Sequence, residues 1–203
     1  MRNIYFVTGI GTEIGKTVVS AILVEKLKAD YWKPIQSGDL DNSDTDKVRK
    51  LVSNSSSKFH PETYQFSQPF SPHYSAKLDY QEISLSKINL PETENNLIIE
   101  GAGGILVPLN DQDLMIDLIK KLNVEVILIS KNYLGSINHT LLTVEALKNR
   151  GIAIKGIIFN GPKTPSSEEI ITNFTQLTIL GNVPELDELN QQQIKDAGDF
   201  INL

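Results

Sequence analysis

Thr8-Gly9-Ile10-Gly11-Thr12-Glu13-Ile14-Gly15-Lys16-Thr17 is the most informative segment of this sequence, because closely spaced glycines lead into a Gly-Lys-Thr ending. An apolar run at 4–7 precedes it and predicts a strand, and a helix is predicted over 16–28. Glycines let the backbone curl so that several N–H groups converge on one anion. The helix start adds the positive end of its dipole. The segment therefore predicts a phosphate-binding loop (P-loop) between a strand and a helix.

Within this loop, Lys16 is expected to contact the β- and γ-phosphates of a nucleotide, and the Thr17 hydroxyl is expected to bind magnesium. The spacing departs from the usual G-x4-G-K-[ST], because Ile10 stands where the first glycine belongs and Gly9 lies one residue earlier. Two alternatives are a plain turn with a solvated lysine and a dinucleotide-binding fingerprint. The fingerprint lacks its third glycine, since Ile14 occupies that position, and it has no use for Lys-Thr.

Along the chain, short apolar runs alternate with stretches of helical periodicity. Strands are predicted at 4–7, 31–35, 97–99, 124–130, 154–160 and 177–180, and helices at 16–28, 45–52, 114–122, 138–150 and 166–174. Gly151 fits a helix C-cap, and Ser166 or Ser167 fits an N-cap. We expect a long surface loop at 54–72 and an irregular tail after 184.

Strands that are apolar throughout and alternate with helices indicate a mostly parallel sheet with helices on both faces. The sequence therefore predicts the α/β class and, with the P-loop, a P-loop NTPase fold. The length of 203 residues and the absence of any internal repeat favour one domain over 1–203.

Charged side chains stand where several of these strands end, at the sheet edge where such folds bind ligands. Lys33 precedes Pro34, which keeps the preceding residue extended, so its ammonium is expected to project towards the phosphates. A surface lysine on an edge strand is the alternative. Glu100 ends the strand at 97–99, and Asp44 precedes a helix. Both carboxylates suit magnesium, although Asp44 equally fits a helix cap or a solvated acidic loop.

Composition excludes several classes of function. The chain has no cysteine, so it has no disulfide scaffold, thiolate metal site or cysteine nucleophile. A formal net charge of -6 disfavours a nucleic-acid partner. The longest apolar runs have about six residues, far short of the ~20 that cross a bilayer, so no membrane partner is expected. The first residues lack signal-peptide organisation, and the cytoplasm is the expected location.

Taken in order, several segments resemble the dethiobiotin synthase family, in which the elongated P-loop also occurs. They are Thr8 to Thr17, Lys33-Pro34 with Ser37-Gly38, Asn42-Ser43-Asp44, Ser71-Pro72-His73, Glu100 to Gly104 and Leu134 to His139, and the match extends to Pro184-Glu185-Leu186. This resemblance implies an ATP- and Mg²⁺-dependent ligase of biotin biosynthesis. It would act as a homodimer on 7,8-diaminononanoate and carbon dioxide, and would release dethiobiotin, ADP and phosphate.

The resemblance also implies roles for individual residues. Lys33 and Lys16 would be catalytic, and Thr17, Asp44 and Glu100 would bind Mg²⁺. The implied ATP-binding residues are Thr12, Glu13, Ile14, Gly15, Lys16, Thr17, Val18, Asp44, Glu100, Gly101, Ala102, Gly103, Asn160, Gly161, Pro184, Glu185 and Leu186. The implied substrate-binding residues are Ser37, Gly135, Ser136, Ile137 and Asn138, the last four holding the substrate carboxylate across the dimer interface at a helix start.

The main alternative is a switch ATPase of the partitioning or septum-placing kind, which has the same fold. Such proteins carry an additional lysine early in the P-loop, and the segment 9–15 contains none. They also need a DNA-binding patch or a basic membrane-binding tail, whereas residues 196–203 are acidic and apolar. A cobyrinic acid amidating enzyme would require a glutaminase domain and a nucleophilic cysteine, which this chain lacks.

Overall fold

The structure is a computed structural model and describes residues 2–203. Its strands are β1 Ile4–Gly9, β2 Asp30–Trp32, β3 Ile35–Ser37, β4 Phe59–His60, β5 Tyr64–Phe66, β6 Leu97–Gly104, β7 Glu125–Lys131, β8 Ile154–Asn160 and β9 Ile179–Val183. Its α-helices are α1 Lys16–Leu27, α2 Asp44–Leu51, α3 Pro72–Leu78, α4 Met115–Leu122, α5 Ser136–Asn149, α6 Pro165–Thr175 and α7 Gln191–Ala197. Among residues 2–203, every helix falls short of the length and apolar character that a membrane span requires.

The main sheet has seven strands in the order β4-β2-β6-β1-β7-β8-β9, and all of its pairings are parallel. In the central register, Val7 of β1 lies opposite Glu100 of β6, and Gly9 lies opposite Ile129 of β7. Parallel strands bring their carboxyl ends to one edge, so the loops after β1, β2, β6, β7 and β8 converge there. The predicted mostly parallel α/β fold is confirmed.

Apolar side chains form two clusters that cover the sheet. One cluster contains residues of α1, α2, α6 and α7, and the other contains residues of α3 and α4. Successive strand residues alternate between them, since Tyr5 and Val7 belong to the first cluster and Phe6 to the second. This burial on both faces explains why the strands are apolar throughout rather than alternating.

The strand predicted at 31–35 is wrong in its extent, because two strands of different sheets occupy this region. β2 ends at Trp32, and β3 begins at Ile35 and pairs with β5 in a separate two-stranded parallel sheet. Pro34 has no N–H to donate, which favours a break at this point. Its carbonyl oxygen accepts hydrogen bonds from the backbone N–H groups of Thr63 and Tyr64. The chain therefore leaves the main sheet immediately after Lys33.

The prediction of a surface loop at 54–72 is also wrong, because this segment contains β4, β5 and the first residue of α3. Strands of two and three residues give too little periodicity to be recognised in the sequence. They form through pairing with distant strands, as Tyr31 does with Phe59 and Ile35 with Tyr64.

The five predicted helices differ from the structure by one or two residues at their ends, and two of the helix starts are informative. α5 begins at Ser136 rather than 138, after Gly135 in a left-handed conformation with φ of 100°. α6 is preceded by Thr164 and begins at Pro165, so neither Ser166 nor Ser167 is the cap. Proline at the first helical position explains this start, because its fixed φ suits the helix and its missing N–H leaves no donor unsatisfied. Gly151 follows α5 with φ of 68°, as expected for a terminating glycine.

The predicted irregular tail is ordered. β9 runs to Val183, and α7 follows at Gln191–Ala197. Lys26 of α1 donates a hydrogen bond to the carbonyl oxygen of Gly198 at 2.9 Å, and Ile194 is fully buried. Contact with α1, rather than local periodicity, is what stabilises this short helix.

Candidate active site

The loop between β1 and α1 closes tightly on itself at two glycines. Gly15 adopts φ of 87°, and a Cβ there would lie 2.1 Å from Nδ2 of Asn160. A Cβ on Gly9 would lie 1.9 Å from Cδ1 of Ile14. Asn160 also donates a hydrogen bond from Nδ2 to the Ile14 carbonyl oxygen at 2.9 Å. The carboxyl end of β8 therefore holds the turn in which a P-loop presents its backbone N–H groups.

Lys16 is the first residue of α1, and its side chain folds back over the loop. Its Nζ donates a hydrogen bond to the Gly11 carbonyl oxygen at 2.9 Å. Burial lowers the pKa of Lys16 to about 8, and the nearby ammonium of Lys33 also lowers it. The carboxylates of Glu100 and Asp44 act to raise this pKa and offset part of the decrease. An anion bound here would favour the charged form of Lys16.

Lys33 lies between two carboxylates at the carboxyl end of β2. Its Nζ is 2.5 Å from Oδ2 of Asp44 and 3.1 Å from Oε1 of Glu100, and the residue is 5% exposed. Burial acts to lower the pKa of Lys33, but the charges of Glu100 and Asp44 outweigh it and raise the pKa above its usual value. Lys33 is thus a buried, ion-paired ammonium, and not the solvated surface lysine of the alternative interpretation.

Asp44 is not the helix cap that the sequence left open. Ser43 caps α2, since its Oγ accepts from the Asp46 N–H and the Asp46 carboxylate accepts from the Ser43 N–H. The Asp44 side chain is therefore free to face Lys33 on one oxygen and Lys47 on the other, at 3.3 Å from Nζ. Burial acts to raise the pKa of Asp44, and the two lysines hold it below its usual value.

Glu100 is 1% exposed, and its two oxygens have different partners. Oε1 accepts hydrogen bonds from the Thr17 hydroxyl at 2.9 Å and from Lys33 at 3.1 Å. Oε2 accepts from the Tyr31 hydroxyl at 3.0 Å. Burial, with the charge of Glu100 added, raises the pKa of Tyr31, so the phenol keeps its proton. Sequence reasoning missed Tyr31, because a tyrosine in an apolar strand carries no signal beyond core packing.

These groups line one cavity of about 740 Å³. The sequence-predicted residues that line it are Thr12, Glu13, Gly15, Lys16, Thr17, Val18, Lys33, Ser37, Asp44, Glu100, Ala102 and Gly103. Lining residues that were not predicted are Gln36, Asp39, Lys47, Val107 and the segment 69–72, of which Ser71 and Pro72 belonged only to the resemblance. Oγ of Ser37 is buried and has no hydrogen-bond partner among residues 2–203.

Comparison with known proteins decides the family. A family model described as an AAA domain matches residues 3–193. The ATP-dependent dethiobiotin synthetase BioD of Christiangramia forsetii is 52% identical over 196 residues, which is 97% of this chain and 94% of that protein. The protein of the same name from Cytophaga hutchinsonii is 50% identical, covering 94% of this chain and 92% of that one. This chain belongs to the dethiobiotin synthetase family. It is an enzyme, and the resemblance inferred from its sequence is confirmed.

Solved structures of low identity share the fold of this dethiobiotin synthetase family member. The septum site-determining protein MinD of Pyrococcus horikoshii, complexed with Mg-ADP, has a TM-score of 0.57 at 16% identity, covering 97% of this chain and 86% of that one. A ParA family ATPase of Chlorobium tepidum has a TM-score of 0.56 at 12% identity, covering 97% of both chains. At such identities the likeness establishes the P-loop NTPase fold alone.

Other sequence-predicted residues lie outside the cavity lining. Ile14 and Gly101 are buried, and Asn160 contacts the P-loop from β8. Gly161 donates its N–H to the Val183 carbonyl oxygen at 2.8 Å, which joins the ends of β8 and β9. Pro184 to Leu186 continue from that point along the surface, and Gly135 to Asn138 lie after β7 at the start of α5. Apart from Gly101, which lies within β6, these residues lie at or after the carboxyl ends of β1, β7, β8 and β9.

The donor set of the site fits magnesium. Residues 2–203 contain no group of three or more His, Cys, Asp or Glu side chains that would hold a metal by themselves. Mg²⁺ in nucleotide enzymes commonly takes one or two carboxylates and completes its shell with phosphates and water. The Thr17 hydroxyl and the carboxylates of Glu100 and Asp44, gathered beside the P-loop lysine, supply such a set.

Proposed function

We propose that this chain is a dethiobiotin synthetase that uses ATP and carbon dioxide to close the ureido ring of 7,8-diaminononanoate. The family to which it belongs supports this proposal. The observation that carries it is the Lys33 ammonium, which is buried between Asp44 and Glu100 in the cavity that the P-loop also lines. We further propose that residues 1–203 form one ATP-dependent carboxylase and cyclo-ligase domain.

The proposed reaction brings two anions together. One amine of the substrate takes up carbon dioxide as a carbamate, and a carbamate oxygen attacks the γ-phosphate of ATP. The second amine then displaces phosphate from the resulting carbamic-phosphoric anhydride and closes the five-membered ring, which leaves ADP and phosphate. Two like charges 4 Å apart repel by about 4 kcal/mol at an effective dielectric constant of 20, so cations are needed between them.

Lys16 and Lys33 are the proposed cations. Lys16 stands at the P-loop and would hold the β- and γ-phosphates, where a phosphate anion would keep it protonated. Lys33 would neutralise the carbamate and the transferred phosphoryl group from the side of β2. No covalent nucleophile is required, because positioning of the reactants alone can contribute about 7–11 kcal/mol to catalysis.

We propose Thr17, Asp44 and Glu100 as the residues that hold Mg²⁺. Bound there, Mg²⁺ would neutralise charge on the phosphate oxygens. The Thr17 hydroxyl already lies 2.9 Å from a Glu100 oxygen, so the two groups face a common point.

Several further residues are assigned by the same proposal. Ser37, with its unpartnered hydroxyl, would contact the diamine. In a homodimer, Gly135 to Asn138 at the start of α5 would bind the carboxylate of the substrate that lies in the active site of the other subunit, because helix starts favour anions. Asn160, Gly161 and the segment 184–186 would contact the adenine. We propose the cytoplasm as the location, because ATP is the co-substrate.

The test is a turnover assay on the purified protein. We expect ADP to form from Mg-ATP only when both diaminononanoate and bicarbonate are present, with one dethiobiotin, identified by mass spectrometry, for each ADP. Reactions that omit the diamine, the bicarbonate or the magnesium serve as controls. ADP formation at an equal rate without the diamine would refute the proposal and favour a switch ATPase.

A further inference from the structure

The two oxygens of Glu100 are kept distinct by a residue on a neighbouring strand. Tyr31 of β2 pairs in register with Ile98 of β6, two residues before Glu100, so Tyr31 and Glu100 project from the same face of the sheet. A diagonal neighbour in a sheet lies about 7–8 Å away, which a tyrosine side chain spans. The Tyr31 hydroxyl accordingly reaches Oε2 of Glu100 at 3.0 Å, while Oε1 faces Thr17 and Lys33.

We propose that Tyr31 is a positioning residue for the magnesium site. By holding Oε2, its hydroxyl fixes the orientation of the Glu100 carboxylate, so that Oε1 lies beside the Thr17 hydroxyl, where these two residues would help to hold Mg²⁺. This inference rests on the proposed function, because it concerns the Mg²⁺ that Thr17, Asp44 and Glu100 would hold.

Burial increases the effect of the hydrogen bond from the Tyr31 hydroxyl on the orientation of Glu100. Tyr31 is 0% exposed and Glu100 is 1% exposed, so the Tyr31 hydroxyl is the only side-chain donor that Oε2 has within residues 2–203. Without it, a buried carboxylate oxygen would lack a partner, and the carboxylate plane would rotate so that both oxygens share the donors Thr17 and Lys33. Such a rotation would change the direction in which the carboxylate lone pairs point beside the Thr17 hydroxyl. Groups that orient metal ligands in this way typically alter metal affinity by about 10–100-fold when they are removed.

Tyr31→Phe tests the inference with little change in packing. The ring, which lies 6.2 Å from the ring of Phe59, is retained, and only the hydroxyl is lost. Tyr64→Phe is the matched control, because it removes another tyrosine hydroxyl, one that accepts from the Ser84 N–H at 3.0 Å and does not contact Glu100. Circular dichroism and thermal melting establish that both variants are folded.

The decisive measurement is ADP binding by calorimetry, with Mg²⁺ and with EDTA. We expect Tyr31→Phe to bind ADP like the wild type in EDTA and to lose about 10-fold of the tightening that Mg²⁺ provides. The Mg²⁺ concentration for half-maximal turnover should rise by a similar factor, while kcat at saturating Mg²⁺ changes less. Tyr64→Phe should match the wild type in each of these measurements.

Two other outcomes would overturn the inference, and they are distinguishable. In the first, Mg²⁺ raises the ADP affinity of the wild type and of Tyr31→Phe equally, and the variant only melts at a lower temperature. Tyr31 would then be a structural residue, and the proposed function would stand. A wild type whose ADP affinity does not respond to Mg²⁺ would refute the metal assignment itself, and this inference with it.

Discussion

Replacing Lys33 with methionine tests the centre of the proposed mechanism. Methionine keeps the length and the apolar stem of the side chain and removes only the ammonium. The carboxylates of Asp44 and Glu100, which now lie 2.5 and 3.1 Å from Nζ, would then face each other without the cation between them. Lys33→Met thus changes charge at one buried point while the surrounding strands are unchanged.

The size of the effect follows from these distances and from burial. At an effective dielectric constant of 20, unit charges 2.5–3.1 Å apart attract by about 5–7 kcal/mol, and desolvation of the buried groups offsets part of this. Removing one member of a buried ion pair typically costs about 3–5 kcal/mol of stability. For catalysis, loss of one electrostatic group of this kind typically lowers kcat by about 100- to 1000-fold.

We therefore expect Lys33→Met to lower kcat by about 100- to 1000-fold and the free energy of unfolding by about 3 kcal/mol. ADP affinity should stay within a few-fold of the wild type, because Lys16 and the backbone at Gly15 are untouched. ADP release at saturating substrates gives kcat, calorimetry gives the affinity, and urea denaturation gives the stability.

Lys47→Met is the matched control. Lys47 also contacts Asp44, at 3.3 Å, but its side chain is 36% exposed, and among residues 2–203 it forms no ion pair with Glu100. Exposed ion pairs contribute little, so a few-fold loss of kcat is the most we expect. A folded Lys33→Met variant with near-normal kcat would refute the assigned role of Lys33. Equal losses in both variants would show that neutralisation of Asp44 matters, and not the position of the Lys33 ammonium.

Three other predictions address the P-loop and the substrate. Gly15→Ala should weaken ADP binding at least about 10-fold in calorimetry, because φ of 87° disfavours a side chain and the new Cβ would lie 2.1 Å from Asn160; unchanged affinity would contradict this. Lys16 has its pKa lowered to about 8, so it is mostly neutral at pH 8.5, and bound phosphates should raise that pKa again. ATP binding at pH 8.5 should therefore be accompanied by proton uptake, which calorimetry detects because the binding heat then depends on the ionisation enthalpy of the buffer. Lys16→Met should abolish this dependence. Equal proton uptake by the wild type and the variant would exclude Lys16 as the source. Ser37→Ala should raise KM for the diamine about 5–10-fold without lowering the melting temperature, since its Oγ has no partner among residues 2–203; an unchanged KM would exclude the contact.

Local patterns in the sequence determined the α/β class, the parallel sheet and the position of the phosphate loop. Each of these features is recognised from a segment of about ten residues: a strand that is apolar throughout, a helix of regular periodicity, or a Gly-Lys-Thr ending. None of them requires knowledge of the residues that lie nearby in space. The same local reading singled out Lys33, Asp44 and Glu100, because ligands bind at the carboxyl edge of such sheets. It left Lys33 open between a site residue and a surface lysine, and Asp44 between a metal ligand and a helix cap. It also ended the strand at 99, whereas β6 continues through Glu100 to Gly104.

Only the tertiary structure decided which groups meet there. Tyr31 contacts Glu100 across 69 positions of sequence, and Asn160 reaches Ile14 across 146. The break between β2 and β3 and the docking of α7 on α1 depend in the same way on distant partners. The local sequence gives the size and polarity of a side chain, whereas the strand register decides whether the Tyr31 hydroxyl and the Glu100 carboxylate lie on the same face and can meet.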